Sequence, residues 1–307
     1  TSCTRSKINR KGIWQRQKNA NYKYLYSRKR IIVLYLINDL EVTKDEFTLP
    51  VENLAVWRGD GVFEALKIHD HYPFGLEKHI DRLKQSCKKQ LFDNVDFNLV
   101  KNNILKIASI HKSGYVRVLI LRNESDDDFT IYSFYQPLLN LPEEFTLQSQ
   151  PAPWHAGGDY EVDSKNIVGS KSTSYAYNIK QTREAVRDGF TDALLINNKG
   201  IVLEGPTFCV GWIQDEVVYV PDLDLGILDS ITRQYLLKFG EEDKIQVSVS
   251  RVTIDELYKV DTVFVMSTAK HGVFVSKIDN QVFEQSPLLV TIQDLFAKEV
   301  LKEKQES

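Results

Sequence analysis

The sequence is poor in cysteine and has no long apolar segment, and both absences narrow what the chain can be. Its three cysteines, Cys3, Cys87 and Cys209, are odd in number and far apart, so they indicate neither a disulfide framework nor a CxxC metal site. The longest apolar run, IIVLYLI at residues 31–37, has seven residues, whereas a membrane-spanning helix needs about 20. We therefore expect no membrane association and a reducing compartment such as the cytoplasm.

Histidine is scarce as well. The six histidines show no HxxxH spacing. His69 and His71 can share one face of a strand, but a metal site needs more ligands than these two, and no recognisable ligand pattern accompanies them. No metal site is predicted.

Residues 1–30 lack acidic side chains altogether. They contain ten Lys and Arg residues and no Asp or Glu, which leaves 29 basic and 42 acidic residues in residues 31–307, a net charge of −13 there. Such an acidic body argues against nucleic acid as a partner. The basic segment has no apolar core of a secretory signal, and we expect a disordered extension. An organellar transit peptide and a nucleic-acid-binding tail are the alternatives.

The rest of the chain alternates strand and helix patterns, as in a mixed α/β (α+β) protein. At 307 residues it is long enough for two medium domains. We predict an N-terminal α/β domain at residues 31–135, a proline-containing linker at residues 136–143 and a C-terminal domain at residues 144–307. Arg117 lies inside the apolar strand YVRVLIL, where a buried charge is costly. It therefore either has an internal carboxylate partner or faces a pocket that receives an anion.

A long irregular stretch, residues 151–170, leads to the segment GSKSTSYAYN at residues 169–178. Such a loop inside a compact domain is usually functional or mobile. Lys171 lies near the start of this segment, and a helix is predicted directly after it, at residues 175–188. Taken alone, a lysine in a polar loop is usually only solvated, so its meaning depends on the motifs elsewhere in the chain.

Six segments of the chain form a recognisable series. They are RGDGVFEAL from Arg58, EKHIDRL from Glu77, KSTSY from Lys171, DALLINNKGIVLEG from Asp192, GILDSITR from Gly226 and VDTVFVMSTA from Val260. In this order they resemble the class IV (fold-type IV) pyridoxal-phosphate enzymes, a family of branched-chain aminotransferases, D-amino-acid aminotransferases and aminodeoxychorismate lyases. The resemblance covers about residues 31–280. It implies two α/β domains with pyridoxal 5′-phosphate in the cleft between them, and at least a homodimer.

The resemblance also implies roles for individual residues. Lys171 is expected to form the internal aldimine with the cofactor and to shuttle a proton between the substrate α-carbon and the cofactor. Glu204 is expected beside the protonated pyridine nitrogen, and the Tyr175 hydroxyl beside the cofactor's phenolic oxygen. Cations and the backbone at a helix start favour a phosphate. The residues expected at the 5′-phosphate are Arg82, Ile231, Thr232 and Thr268.

Two arginines are candidates for the substrate carboxylate. Arg117 lies where the branched-chain enzymes place an arginine near that carboxylate, and Arg122 lies nearer the corresponding arginine of the D-amino-acid enzymes. We expect Arg117 to be the substrate contact.

Three positions depart from the family pattern. Ser174 and Cys209 stand where asparagines are usual, and Pro206 stands where the family has serine or threonine after Glu-Gly. Hydrogen bonding around the pyridine ring is therefore expected to differ. Cys209 is expected to be a small core residue between two strands rather than a reactive thiol.

The resemblance favours an aminotransferase that moves an amino group from an amino acid, in particular a branched-chain one, to a 2-oxo acid such as 2-oxoglutarate. The alternative within the family is an aminodeoxychorismate lyase, which eliminates pyruvate with the same lysine. The acidic sequence RNESDDDF from Arg122 lacks the basic, glycine-rich stretch expected beside that dianionic substrate. A binding protein that has lost catalysis is the third reading, and the presence of Lys171 and Glu204 argues against it.

Overall fold

The fold is described from a computed structural model, which covers residues 33–125, 128–138, 140–153 and 169–307. The predicted N-terminal extension and most of the irregular stretch before Lys171 lie outside these ranges. All elements described below belong to the unit Leu34–Ser307. The predicted division at residues 136–143 stays a prediction.

Helices and strands alternate along the chain. The strands are β1 (Tyr35–Ile37), β2 (Leu40–Val42), β3 (Gly61–His69), β4 (Tyr72–Pro73), β5 (Ser113–Arg122), β6 (Phe129–Gln136), β7 (Thr146–Pro151), β8 (Asp192–Ile196), β9 (Cys209–Gln214), β10 (Val217–Pro221), β11 (Val247–Ser250), β12 (Thr262–Ser267), β13 (Lys270–Val275), β14 (Lys277–Ile278) and β15 (Gln281–Val282). The helices are α1 (Leu54–Trp57), α2 (Leu76–Lys89), α3 (Phe97–Ile110), α4 (Ala176–Arg187), α5 (Ile231–Glu241), α6 (Ile254–Leu257) and α7 (Pro287–Glu306). The predicted mixed α/β class is confirmed.

The first sheet is antiparallel and has six strands in the order β2-β1-β6-β5-β3-β4. On β3 every second side chain is buried, and Val62, Leu66 and Ile68 give this strand its apolar face. Helix α2 packs against β3. Its buried face holds the apolar stripe predicted from the sequence, Leu76, Ile80, Leu83 and Cys87.

The C-terminal part of the chain forms two further sheets. One has five strands in the order β11-β10-β9-β12-β13, and the other has four in the order β15-β14-β7-β8. Helices α5 and α7 cover one face of the five-stranded sheet through a core that includes Tyr235, Phe239, Phe264 and Phe296. Leu147, Leu194 and Val210 belong to a second core, which β7, β8, β9 and β12 share.

Helix α3 was not predicted from the sequence, although its signals are present. Asp96 caps its first turn by accepting from the backbone N–H groups of Asn98 and Leu99. Val100, Ile104 and Ile107 are buried at helical spacing. None of the helices in the described ranges is long and apolar enough to cross a membrane.

Candidate active site

A cleft of about 400 Å³ brings together six of the eight residues predicted for the site. The six that line it are Arg82, Arg117, Lys171, Tyr175, Glu204 and Thr268. Ile231 and Thr232 are the first two residues of α5, and the preceding residue, Ser230, lines the cleft in their place. Residues more than a hundred positions apart in the sequence thus line the same cleft.

Lys171 is fixed by backbone hydrogen bonds to the start of β3. Its carbonyl accepts from the Phe63 N–H at 3.0 Å, and the Thr173 N–H donates to the Gly61 carbonyl at 2.8 Å. The Lys171 N–H in turn donates to Ser86 Oγ on α2 at 3.0 Å. The lysine therefore lies on a short stretch that pairs with the first residues of β3.

The predicted Gly-Asp-Gly turn supports the same stretch. Gly59 has φ +68°, and a Cβ there would lie 2.7 Å from Ser174 Oγ, so only glycine fits. The Gly59 carbonyl accepts from Thr173 Oγ1 at 2.8 Å and from Ser174 Oγ at 2.9 Å. Ser174, the departure from the family pattern, thus holds the turn on which Lys171 depends.

The side chain of Lys171 lies in an electropositive and enclosed setting. Its Nζ is 4.5 Å from the centroid of the Phe63 ring. Burial lowers the pKa of Lys171 to about 8, the Arg82 and Arg117 guanidinium groups add to the lowering, and the Glu64 and Glu204 carboxylates oppose it. A lysine with such a pKa carries a useful fraction of neutral amine near physiological pH.

Glu204 and Tyr175 lie on the wall of the same cleft. The Glu204 carboxylate accepts from the Leu228 N–H at 3.3–3.4 Å, and its backbone carbonyl accepts from the Leu195 N–H at 2.9 Å, which ties it to β8. The Tyr175 ring packs edge-on against Phe63 with centroids 5.5 Å apart. Burial, reinforced by Glu204, raises the pKa of Tyr175, so its hydroxyl keeps its proton and can donate a hydrogen bond.

Arg82 and the start of α5 form the cationic end of the cleft. The Ser230 side chain does not cap α5, and its Oγ lies 2.7 Å from Thr232 Oγ1. The N–H groups of the first turn of an uncapped helix favour an anion. Arg82 Nη1 donates to the Asp229 carbonyl at 3.1 Å, next to this turn.

The two candidate substrate arginines differ in their surroundings. Arg117, half-buried on β5, lines the cleft, and its Nε donates to Gln136 Oε1 at 2.8 Å. Arg122 is buried and is absent from the cleft lining. It donates to the Asp60 carboxylate at 3.0 Å and to the Gln90 carbonyl at 2.8 Å. Arg117 is therefore a cleft residue, whereas Arg122 connects the Gly-Asp-Gly turn to the C-terminal end of α2.

Two residues of the site were missed from the sequence. Glu64 on β3 is buried and bonds Arg82 through both carboxylate oxygens, at 2.7 and 2.9 Å. Its signal was available, because an acidic residue occupies an apolar face of the strand VFEALKI. Lys270 at the start of β13 lines the cleft, with Nζ 5.5 Å from the ring centroids of Phe145 and Phe208. Burial lowers its pKa, and Asp192 opposes this.

Cys209 is the first residue of β9 and is buried. Its thiol lies 3.4 Å from the Val210 carbonyl, and burial raises its pKa. It packs in the core beneath the five-stranded sheet while also lining the cleft. This setting keeps the thiol protonated and favours the predicted packing role.

The fold of this chain is similar to that of solved aminotransferase structures. Among solved structures, a hypothetical aminotransferase from Mycobacterium tuberculosis in an α-ketoglutarate- and PMP-bound form has the same fold. The TM-score is 0.80 at 22% identity, and the match covers 88% of this chain and 99% of that one. The fold is therefore that of the fold-type IV transaminases, as predicted.

The family follows from the sequence match. Residues 61–278 match the model of the class IV aminotransferases, so the chain belongs to that family. It is 28% identical over 265 residues to a putative branched-chain-amino-acid aminotransferase of Methanocaldococcus jannaschii, covering 80% of this chain and 88% of that protein. It is 25% identical over 276 residues to an aminodeoxychorismate lyase of Bacillus subtilis, covering 84% and 91%. The predicted family and enzyme class are confirmed: the chain is a pyridoxal-phosphate-dependent aminotransferase.

The residues of the cleft fit pyridoxal 5′-phosphate. The cleft offers an amine on Lys171, a carboxylate on Glu204, and a cation and an uncapped helix start near Arg82. These are the groups that a carbonyl, a pyridine nitrogen and a phosphate require.

Proposed function

We propose that the protein transfers the amino group of an amino acid, with branched-chain amino acids as the leading candidates, to a 2-oxo acid such as 2-oxoglutarate. The observation that carries this proposal is the Lys171 amine, whose pKa burial lowers to about 8, in one cleft with Glu204 and Arg82. The M. jannaschii relative supports a branched-chain donor, and the M. tuberculosis structure supports 2-oxoglutarate as acceptor.

Lys171 has two roles in this proposal. Its neutral amine would hold the cofactor through the cofactor's carbonyl group, and the same Nζ would accept the proton from the substrate α-carbon and later give it back. The bound cofactor supplies an electron sink for the α-carbon. The neighbouring guanidinium of Arg82 favours the neutral amine that both roles need.

Glu204, Tyr175 and the cationic end hold the cofactor. The Glu204 carboxylate would accept the N–H of the pyridine nitrogen and so keep that nitrogen protonated. The Tyr175 hydroxyl, protonated because burial raises its pKa, would donate to the phenolic oxygen. Arg82, Thr268 and the N–H groups of Ile231 and Thr232 would hold the phosphate.

Arg117 binds the substrate carboxylate. It lines the cleft on β5, and its Nε is held by the neutral Gln136 amide. A guanidinium can bind a carboxylate through two parallel N–H groups. Arg117 therefore orients the α-carbon towards Lys171.

We further propose a cytoplasmic homodimer. Val51, Val56 and Trp57 are large apolar side chains that lie close together in sequence and are exposed, which supports a protein contact there. Light scattering coupled to size-exclusion chromatography should give twice the chain mass of 35.4 kDa. A monomer at micromolar concentration contradicts this assembly.

The purified protein, loaded with pyridoxal phosphate, should form glutamate from 2-oxoglutarate and isoleucine. A panel of L- and D-amino acids in place of isoleucine then assigns the donor. Lys171→Ala should abolish turnover and the borohydride-sensitive visible absorbance of the protein-bound cofactor. No glutamate from any donor contradicts the proposal, and pyruvate released from aminodeoxychorismate without a 2-oxo acid assigns the lyase reaction instead.

A further inference from the structure

The carboxylate of Glu64 lies beneath the cleft and is not used in the chemistry above. Its side chain on β3 is 1% exposed, and it faces two buried residues of α2, His79 and Arg82. Oε1 accepts from Arg82 Nε at 2.7 Å, and Oε2 accepts from Arg82 Nη2 at 2.9 Å and His79 Nδ1 at 2.7 Å. The Ala65 N–H donates to Oε2 as well, at 3.2 Å.

The donors of Arg82 are divided between this carboxylate and the cleft. A guanidinium has five N–H groups. Two of them bond Glu64, and one on Nη1 bonds the Asp229 carbonyl at 3.1 Å. Two N–H groups therefore stay available to a ligand in the cleft that Arg82 lines.

The charges of the cluster balance without any ligand. Burial raises the pKa of Glu64, but Arg82 and His79 outweigh this and hold the pKa far below its usual range, so the carboxylate is ionised. Burial lowers the pKa of His79 more than Glu64 raises it, so its ring is neutral near pH 7 and its Nδ1–H donates. The positive charge of Arg82 is thus neutralised in place by Glu64.

We propose that Glu64 is a positioning residue that acts as the resident counter-ion of Arg82, keeping the phosphate end of the cleft formed before the cofactor enters. The proposal rests on the assignment of Arg82 to the cofactor phosphate. A buried arginine without a counter-ion destabilises a fold strongly. Glu64 removes that penalty from the empty protein, and its negative charge also weakens the attraction of Arg82 for the phosphate.

The substitution Glu64→Gln separates these two effects, because glutamine keeps the shape and an oxygen acceptor but removes the charge. The melting temperature of the cofactor-free protein should fall by roughly 5–10 °C. The affinity for inorganic phosphate and for pyridoxal 5′-phosphate should rise, roughly tenfold, because the ligand becomes the only counter-ion of Arg82. The affinity for pyridoxal, which has no phosphate, should stay unchanged.

These affinities are measured on the cofactor-free full chain by calorimetric titration, with Glu299→Gln as the matched control. Glu299 is also buried, 2% exposed, and bonds Lys238 on α5. Its substitution should lower the melting temperature without changing the preference for phosphate ligands. Phosphate affinity that is unchanged or weaker in Glu64→Gln overturns the proposal, since a purely structural carboxylate gives that result.

A double variant, Glu64→Gln with Arg82→Met, decides the matter if the single variant fails to fold. Removing both charges should restore the stability lost in Glu64→Gln. A double variant as unstable as the single one overturns the proposal, because Glu64 then serves packing alone. Failure of the underlying assignment has its own signature: Arg82→Met would retain the full preference for pyridoxal 5′-phosphate over pyridoxal.

Discussion

Two arginines reach the same cleft and are held in opposite ways. Arg82 on α2 is 7% exposed and is fixed by a charged carboxylate, Glu64, through two hydrogen bonds and by the Asp229 carbonyl. Arg117 on β5 is half-buried, and its Nε bonds the neutral amide of Gln136. The two guanidinium groups therefore differ in burial and in the groups that their Nε atoms bond, a carboxylate for Arg82 and an amide for Arg117.

This difference suits two kinds of ligand. A cofactor phosphate stays bound through many turnovers, so it suits a site such as Arg82, whose side chain is already fixed and needs little rearrangement on binding. A substrate carboxylate enters and leaves in each cycle, and the half-buried Arg117, which lines the cleft on β5, suits such an exchanging ligand. Lys171 lies between the two influences, because both arginines lower its pKa.

Lys171→Met should have the largest effect on activity and the opposite effect on stability. Transamination should fall by at least roughly 10⁴-fold, because Lys171 supplies both the amine that holds the cofactor and the group that transfers the proton. The unfolded chain binds more protons at this site than the folded one between about pH 8 and pH 10.5, so the contribution of Lys171 to stability rises with pH across that window. At pH 7 the buried ammonium is destabilising, and its removal should raise the free energy of unfolding of the cofactor-free protein by about 3 kcal/mol.

Urea unfolding at pH 7 and pH 11 measures this gain, which should disappear at the higher pH. Lys180→Met, at an exposed position on α4 that pairs with Glu184, is the control and should change neither activity nor stability appreciably. A Lys171→Met protein that is less stable than the parent at pH 7 would contradict this prediction, because the Glu64 and Glu204 carboxylates would then stabilise the buried ammonium by more than its burial costs.

Arg82→Met tests the arginine that Glu64 holds, and it should lower the stability of the fold. It leaves Glu64 buried without its cation, which should cost about 3–5 kcal/mol of unfolding free energy. The preference for pyridoxal 5′-phosphate over pyridoxal should fall sharply in fluorescence titrations. Arg122→Met removes another buried, paired arginine and should destabilise the fold while keeping that preference.

Arg117→Met tests the proposed contact with the substrate carboxylate, and it should leave the free energy of unfolding nearly unchanged. The KM for the amino donor should rise by roughly 10–100-fold, the value of one charge-assisted hydrogen bond, while cofactor affinity stays the same. Steady-state kinetics with donor and acceptor varied separately measure this effect. If Arg122→Met raises KM more than Arg117→Met does, the substrate carboxylate has been assigned to the wrong arginine.

The two arginines also show which features of the site can be predicted from the sequence and which cannot. Periodicity located the apolar stripe of α2, and the motif series located Lys171 and Glu204. On local pattern alone, however, Arg82 would be solvated, since it lies off that stripe, and yet it is buried. Its partner Glu64 lies 18 positions away on another element, and such a pairing depends on how a helix packs on a sheet, which local patterns do not encode.

The missed helix α3 and the missed cleft residue Lys270 have different causes. The signals of α3, the Asp96 cap and the buried Val100, Ile104 and Ile107, are local and are present in the sequence. Lys270 follows the strand ending in Ser267 and Thr268, and nothing in its neighbourhood separates it from a solvated lysine. Only the fold, which brings β13 beside Phe145 and Phe208, places it in the cleft.

The smallest predicted effect concerns the pH dependence of cofactor capture and the influence of Arg117 on it. Capture of pyridoxal phosphate by the cofactor-free protein needs the neutral amine of Lys171, so its rate should rise with pH through a midpoint near the pKa of about 8. Arg117 contributes to that low value, and Arg117→Met should move the midpoint to higher pH, because a cationic neighbour that disfavoured the ammonium has gone. Stopped-flow absorbance from pH 6 to pH 10, at saturating and limiting cofactor, measures the midpoint. A midpoint unaffected by Arg117→Met would mean that Arg117 does not influence the pKa of Lys171, and a midpoint that moves to lower pH would contradict the proposed direction of that influence.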